Sequence, residues 1–209
     1  MNQNIQQIMA MAPVIPVMVI DNPDHAVPLA RALVEGGLPV LEITLRTPAA
    51  LAAIEQIRAA LPEAVVGAGT VITPADMDKA SDAGAAFIVS PGATTRLIDA
   101  AVERGVNFLP GVSSPSEAMV LLEKGFSRLK FFPAQAAGGI PMLKSIYGPL
   151  AQLTFCPTGG INLANAEQYL ALPNVACVGG SWMAAPELVQ QENWQEIKSR
   201  AQAASQLAQ

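Results

Sequence analysis

Short apolar runs alternate with helix-forming stretches along almost the whole chain, and this alternation restricts the fold more than any other feature. Apolar runs of strand length lie at 14–20, 40–45, 64–68, 86–90, 106–109, 128–132, 153–156 and 175–178. Between them, segments 24–35, 48–60, 74–83, 95–104, 115–124, 141–147 and 164–172 carry helical periodicity, and a last helical tract covers 193–207. An amphipathic turn with Ile5, Ile8 and Met9 precedes the first run. Thr47-Pro48, Thr73-Pro74 and Ser114-Pro115 each read as an N-cap followed by proline at the first helical position. Gly36, Gly84, Gly105 and Gly125 stand where a glycine closes a helix. Strand and helix repeating every roughly 20–25 residues imply right-handed βαβ units and a parallel sheet. Eight such units predict an α/β fold, a (β/α)8 TIM barrel with an extra N-terminal helix, as a single domain over 1–209. The alternative is an open doubly wound sheet, which usually shows a break in the alternation; none is visible.

Composition agrees with strands covered on both faces: 51% of residues are hydrophobic and 14% charged. The net charge of -5 and the lack of any Lys/Arg run argue against nucleic acid as a partner. The longest apolar stretch, 8–20, is broken by Pro13 and Pro16 and is too short to span a membrane. No basic residue precedes it, since the first is Arg31, so a signal peptide is not expected and a cytoplasmic location is. Cys156 and Cys177, within apolar runs, are expected as buried reduced thiols. One histidine and two cysteines do not assemble a His-rich metal site. The phosphate-binding G-x-x-x-x-G-K, the zincin H-E-x-x-H and the hydrolase G-x-S-x-G are all missing. His25, at the start of the first helix, is read as a structural residue at the bottom of the barrel.

In a barrel of this kind the reactive groups come from the C-terminal ends of the strands. Lys130 lies in Leu-Lys-Phe-Phe-Pro, an apolar setting for a strongly hydrated ammonium. It either pairs with a carboxylate, loses its proton to become a nucleophile toward ketones, or snorkels to water. In the second strand Leu41, Ile43 and Leu45 share one face, and Glu42, Thr44 and Arg46 share the other. The apolar set should meet helices, so the polar set points inward, either as an active group or as a structural Glu–Arg network. Gly67-Ala68-Gly69-Thr70 is no dinucleotide fingerprint; it reads as a close backbone approach followed by a hydroxyl at the mouth. Ser90-Pro91-Gly92 and Leu109-Pro110-Gly111 read as tight turns. Thr158-Gly159-Gly160 and Gly179-Gly180-Ser181 follow the last two strands, where barrels hold phosphate on backbone N–H groups; both can instead be plain turns.

With these residues laid out, the chain resembles the class I 2-keto-3-deoxy-6-phosphogluconate aldolase / 4-hydroxy-2-oxoglutarate aldolase family over nearly its whole length. The resemblance rests on the order and spacing of Val-Leu-Glu-Ile-Thr-Leu-Arg-Thr at 40–47, Val-Gly-Ala-Gly-Thr at 66–70, Ser-Pro-Gly at 90–92, Lys-Phe-Phe-Pro-Ala at 130–134, Cys-Pro-Thr-Gly-Gly at 156–160 and Val-Gly-Gly-Ser-Trp at 178–182. It implies a (β/α)8 barrel assembled as a homotrimer, with small keto-acid and aldehyde-phosphate substrates and no metal or other cofactor. Lys130 would be the Schiff-base lysine and Glu42 the general acid/base. Arg46 and Thr70 would hold the pyruvyl carboxylate, and Phe132 and Pro91 would line the wall. Thr158, Gly159, Gly160, Gly179, Gly180 and Ser181 would form the phosphate end. Many members carry Glu where this chain has Gln135. A phosphate-binding isomerase or epimerase, and a silent sugar-phosphate sensor, are the competing expectations.

Overall fold

Hydrogen bonding turns the apolar runs into parallel strands and leaves the intervening segments as helices packed outside them. The computed structural model describes residues 4–207. In chain order these are α1 (Ile5–Met9), β1 (Val14–Met18), a 3-10 turn (Pro23–His25), α2 (Ala26–Glu35), β2 (Val40–Thr44), α3 (Ala50–Ala60), β3 (Val65–Gly69), α4 (Pro74–Asp82) and β4 (Phe87–Val89). There follow α5 (Thr95–Arg104), β5 (Phe108–Leu109), β6 (Gly111–Val112), α6 (Pro115–Glu123), β7 (Arg128–Phe131), α7 (Gly139–Tyr147) and β8 (Thr154–Pro157). The chain continues through α8 (Ala166–Leu170), β9 (Val178–Gly180), a 3-10 turn (Trp182–Ala184), α9 (Pro186–Gln190) and α10 (Trp194–Ser205).

One sheet runs β5-β4-β3-β2-β1-β9 and another β6-β7-β8, with every strand pair parallel. The sheet curls because β5 and β6 are one strand interrupted at Pro110. Its first half pairs with β4 (Leu109 with Val89) and its second half with β7 (Gly111 with Lys130). Pro110 has no N–H to give, but its carbonyl accepts from Lys130 N at 2.9 Å. Pro110-Gly111 is therefore not the turn expected from its sequence. Gly111 is needed there because a Cβ would lie 2.3 Å from the Pro91 carbonyl oxygen. At the other side β8 meets the chain entering β9 through the bridges Phe155–Val175 and Thr158–Gly179.

Two apolar clusters separate the inside of the curl from the outside. Ile15, Val40, Phe87, Val89, Leu109, Cys156 and Cys177 form the inner one, closed off by Ile8 and Met9 of α1. Leu41 and Ile43 belong to the outer cluster, with Leu29, Leu33, Ile54 and Ile57 from α2 and α3. The alternation along β2 thus sorts its side chains as expected. The inner layer has room for Phe87 because Gly67 lies under its ring, 2.4 Å from the nearest ring carbon if a Cβ were present.

Thr73 and Ser114 cap α4 and α6 through reciprocal capping boxes with Asp76 and Glu117. Thr47 does not cap α3. Its hydroxyl donates to the carbonyl of Ile20, and α3 starts at Ala50 with no side-chain cap. Gly84, Gly105 and Gly125 take the left-handed conformation, but at the end of α2 it is Gly37 that does so (φ +90°). Gly36 serves packing instead: a Cβ there would meet the Ala201 Cβ of α10 at 2.4 Å. The final strand comes later than expected, so Gly179 and Gly180 lie inside β9, not in a loop after it. α9, which Pro186 opens, was not expected from the periodicity.

Candidate active site

Glu42 and Lys130 meet inside the curl. They come from β2 and β7, which are not neighbours in either sheet, and the curvature brings them together. Lys130 Nζ donates to Glu42 Oε1 at 3.1 Å; the two residues are 5% and 3% exposed. Of the fates open to the lysine, pairing with a carboxylate is the one adopted. Glu42 pairs with Lys130 and not with Arg46, so the alternative reading of a structural Glu–Arg network is not adopted. Holding two charges away from water is expensive unless both are well matched.

The carboxylate has its place because Gly69, at the end of β3, has no side chain. A Cβ at Gly69 would lie 2.2 Å from Glu42 Oε1 and 2.7 Å from its Cγ. The sequence signal for this was the Gly-Ala-Gly run, read as a close approach without its partner being known. On the other side the ring of Phe132, partly buried, has its centroid 5.4 Å from Lys130 Nζ, within cation–π range. Thr44, one turn of the pleat beyond Glu42, donates its hydroxyl to the Met18 carbonyl at 2.9 Å and so ties β2 to β1 at the mouth.

The other expected residues lie at or after the C-terminal ends of the strands. Arg46, in the turn after β2, is exposed and makes no ion pair or hydrogen bond among the described residues. Thr70 follows β3 with φ +58°, a region that β-branched residues avoid, at a cost of about 1–3 kcal/mol. Pro91 follows β4, where its carbonyl presses on Gly111 while the buried Ser90 hydroxyl accepts from Gly111 N at 3.4 Å. Thr158 is buried at the end of β8, and Gly159 (φ +102°) and Gly160 (φ +76°) follow in the left-handed region. Gly179 is bare because its Cβ would sit 2.3 Å from Thr158 Oγ1; at Gly180 the Trp182 ring occupies the same space. Ser181 is exposed just before the 3-10 turn.

Below the pair, Cys156 lies level with Lys130 on the adjacent strand. Both cysteines are free and buried, as expected. A hydrogen bond with Cys156, then burial, then the charge of Cys156 and of Glu42, push the Cys177 thiol well above its ordinary range. It stays protonated and cannot compete with the amine as a nucleophile.

His25 follows β1 and so lies on the side of the strand C-terminal ends, not at the opposite end as expected. Its Nε2 is 3.4 Å from Glu192 Oε1, and its ring packs edge-on against Trp194. A cavity of about 540 Å3 between α3 and α4, lined by Glu55, Arg58 and Asp82, contains none of the expected site residues. Among the described residues no group of three or more His, Cys, Asp or Glu could hold a metal ion. No helix of these residues is long and apolar enough to cross a membrane.

A buried lysine against a carboxylate, in a curled parallel sheet, is a constellation that comparison with known proteins can test. The aldolase family described as KDPG and KHG aldolase matches residues 5–200. The chain belongs to this family. A 2-dehydro-3-deoxy-phosphogluconate aldolase of Pseudoalteromonas atlantica is 47% identical over 199 residues, 95% of this chain and 93% of that one. A KHG/KDPG aldolase of Escherichia coli is 46% identical over the same shares. Among solved structures, KDPG aldolase from Legionella pneumophila, with pyruvate captured at low pH as a covalent carbinolamine intermediate, superimposes with a TM-score of 0.96. It is 49% identical, and the match covers 98% of this chain and 100% of that one. The family expectation drawn from the six motifs is thereby met.

Proposed function

We propose that this protein is a Schiff-base aldolase that cleaves 2-dehydro-3-deoxy-6-phosphogluconate to pyruvate and glyceraldehyde 3-phosphate. By the same chemistry it cleaves 4-hydroxy-2-oxoglutarate to pyruvate and glyoxylate. The observation that carries this reading is the buried contact of Lys130 Nζ with Glu42 Oε1 in a member of the KDPG and KHG aldolase family.

In this mechanism Glu42 takes a proton from the Lys130 ammonium, and the free amine attacks the C2 ketone of the keto acid. Proton return through Glu42 lets water leave, giving a protonated imine. That imine accepts the electron pair of the C3–C4 bond as Glu42 removes the C4 hydroxyl proton. The aldehyde departs and an enamine remains. Protonation at C3 and hydrolysis then release pyruvate and restore the amine. The positive imine supplies the polarisation that a metal ion supplies in other aldolases. Arg46, with no ion pair or hydrogen bond among the described residues, clamps the pyruvyl carboxylate together with Thr70. Phe132 and Pro91 wall the pocket. Thr158, Gly159, Gly160, Gly179, Gly180 and Ser181 receive the phosphate, chiefly on backbone N–H groups.

The joining of both sheets at Pro110 and at the Thr158–Gly179 bridge supports a closed (β/α)8 barrel with α1 as a plug, folded as one domain. A cytoplasmic homotrimer working in sugar-acid breakdown by the Entner–Doudoroff route, without a cofactor, completes the reading.

Borohydride added with pyruvate tests it. The expected result is one 1-carboxyethyl adduct per chain, located on Lys130 by peptide mass, together with pyruvate release from the phosphorylated substrate. An unlabelled Lys130 in an enzyme that still releases pyruvate would refute the covalent route, and neither label nor pyruvate release would favour the isomerase-type chemistry that uses similar glycine loops.

A further inference from the structure

The loop after β8 is held from behind by bonds that all take the same kind of group. The carbonyl of Thr158 accepts from Ala134 N at 2.8 Å, and that of Gly159 from Gln135 N at 3.1 Å. The next carbonyl, of Gly160, accepts from the side-chain Nδ2 of Asn165 at 3.0 Å. Three consecutive carbonyls are thus each engaged by an N–H donor. The N–H groups of Gly160 and Ile161 donate to none of the main-chain carbonyls that hold the turns and loops of the described residues. Of the three restraints, two are main-chain bonds to the segment after β7 and one is a side chain. Asn165 is itself held: its Oδ1 accepts from Asn162 N at 2.9 Å, so its amide is fixed in orientation. The stem of Gln135 covers the other face of Gly160, where a Cβ would meet its Cγ at 2.5 Å.

We infer that Asn165 is a positioning residue that sets the enzyme's preference for phosphorylated over unphosphorylated substrates. By binding the Gly160 carbonyl it keeps that oxygen turned away and leaves the loop's N–H groups for the phosphate. With the amide gone, the Gly160–Ile161 peptide is free to rotate, since glycine at φ +76° has alternatives close by. An oxygen turned toward the mouth would repel a phosphate dianion. Asn165 does not touch Lys130 or Glu42, so the imine chemistry itself does not depend on it. This inference rests on the proposed function, and in particular on the Gly159–Gly160 loop as the phosphate end.

Two variants test it. Asn165→Ala removes the whole amide. Asn165→Asp keeps the acceptor for Asn162 N but loses the donor to Gly160. The readout is the ratio of kcat/KM for 2-dehydro-3-deoxy-6-phosphogluconate to that for 4-hydroxy-2-oxoglutarate, with inorganic phosphate as a competitive inhibitor of the second. Loss of one positioning hydrogen bond is expected to lower the ratio by about three- to tenfold in both variants, through KM, and to weaken inhibition by phosphate in parallel. A ratio equal to that of the parent enzyme in both would overturn the inference, as would a drop confined to Asn165→Asp that vanishes at high salt. A parent enzyme without lyase activity would instead remove the proposed function, so the two failures are distinguishable.

Discussion

Replacing Gly69 by alanine would put one methyl group where the Glu42 carboxylate now lies. The added carbon would stand 2.2 Å from Oε1, 2.7 Å from Cγ and 2.8 Å from Cδ. Ordinary contact needs 3.4 Å or more, so the carboxylate must retreat by about 1 Å, and its 3.1 Å bond to Lys130 Nζ is lost or bent. For a group in the acid/base role proposed for Glu42, such a displacement costs on the order of 10²-fold in rate, which is about 2.7 kcal/mol of barrier. The substitution adds about 1–3 kcal/mol of overpacking, offset by roughly 0.4–1 kcal/mol from the stiffer unfolded chain. For a chain of this size that lowers Tm by only a few degrees, about 2–4 °C per kcal/mol. The expected protein is therefore folded but slow. Pyruvate release coupled to lactate dehydrogenase gives kcat, and circular dichroism gives Tm. A kcat within about threefold of the parent, in a protein with the predicted packing, would show that the Glu42 position is not critical to turnover.

Lys130→Met should abolish both turnover and borohydride labelling. It also strands Glu42 without its partner, so unfolding in urea should show a loss of about 3 kcal/mol or more. Adding Glu42→Leu to Lys130→Met removes the stranded charge, and most of that stability should return. A double variant no more stable than the single one would mean the pair is not as dry as its 5% and 3% exposure indicates. Arg46→Lys exchanges a planar fork for a point charge and should raise KM for the keto acid by about tenfold with a smaller effect on kcat; an unchanged KM would remove Arg46 from carboxylate binding. Partial burial acts to raise the Glu117 carboxyl, but hydrogen bonds from Ser113 and Ser114 outweigh it and hold it below its ordinary value of 4.5. The contribution of Glu117 is thus present above that pH and disappears as pH falls through the lowered value. Acid titration of stability in Glu117→Gln should lack that part of the decline, and an identical acid limb would refute the assignment.

Much of the architecture was legible because it is local. Thr73 and Ser114 cap helices with the next four residues, and the patterning of β2 follows from a period of two; neither needs distant chain to be read. Three of the misreadings involve a partner from elsewhere. Thr47-Pro48 has the same local signature as Thr73-Pro74, yet the Thr47 hydroxyl is drawn to Ile20, a residue 27 positions earlier. Pro110-Gly111 looks like a turn, but becomes strand because Lys130 supplies a donor to the Pro110 carbonyl just where the strand changes neighbours. Gly179 and Gly180 look like a loop, but the pairing with Ile15 and Pro16 extends β9 through them. In each case a long-range hydrogen bond overrode a correct local preference.

The site divides along the same line. Lys130 could be singled out from its neighbours alone, because an ammonium flanked by Leu129, Phe131 and Phe132 is chemically out of place. What it faces could not. Glu42 and Lys130 are 88 residues apart and sit on strands that never pair, so only the curvature of the sheet makes them a couple. The same holds for the glycines. Gly67 and Gly69 were legible as a close backbone approach, and Gly111 and Gly179 as turn or loop residues, yet none of the four has a positive φ. Their use is spatial: each makes room for one specific group, namely the Phe87 ring, the Glu42 carboxylate, the Pro91 carbonyl and the Thr158 hydroxyl. Three of those four groups belong to expected site residues, and the fourth, Phe87, lines the inner layer. The inner surface of the sheet is therefore shaped at these four points by absent side chains, and the Glu42 carboxylate can reach Lys130 because Gly69 leaves it room.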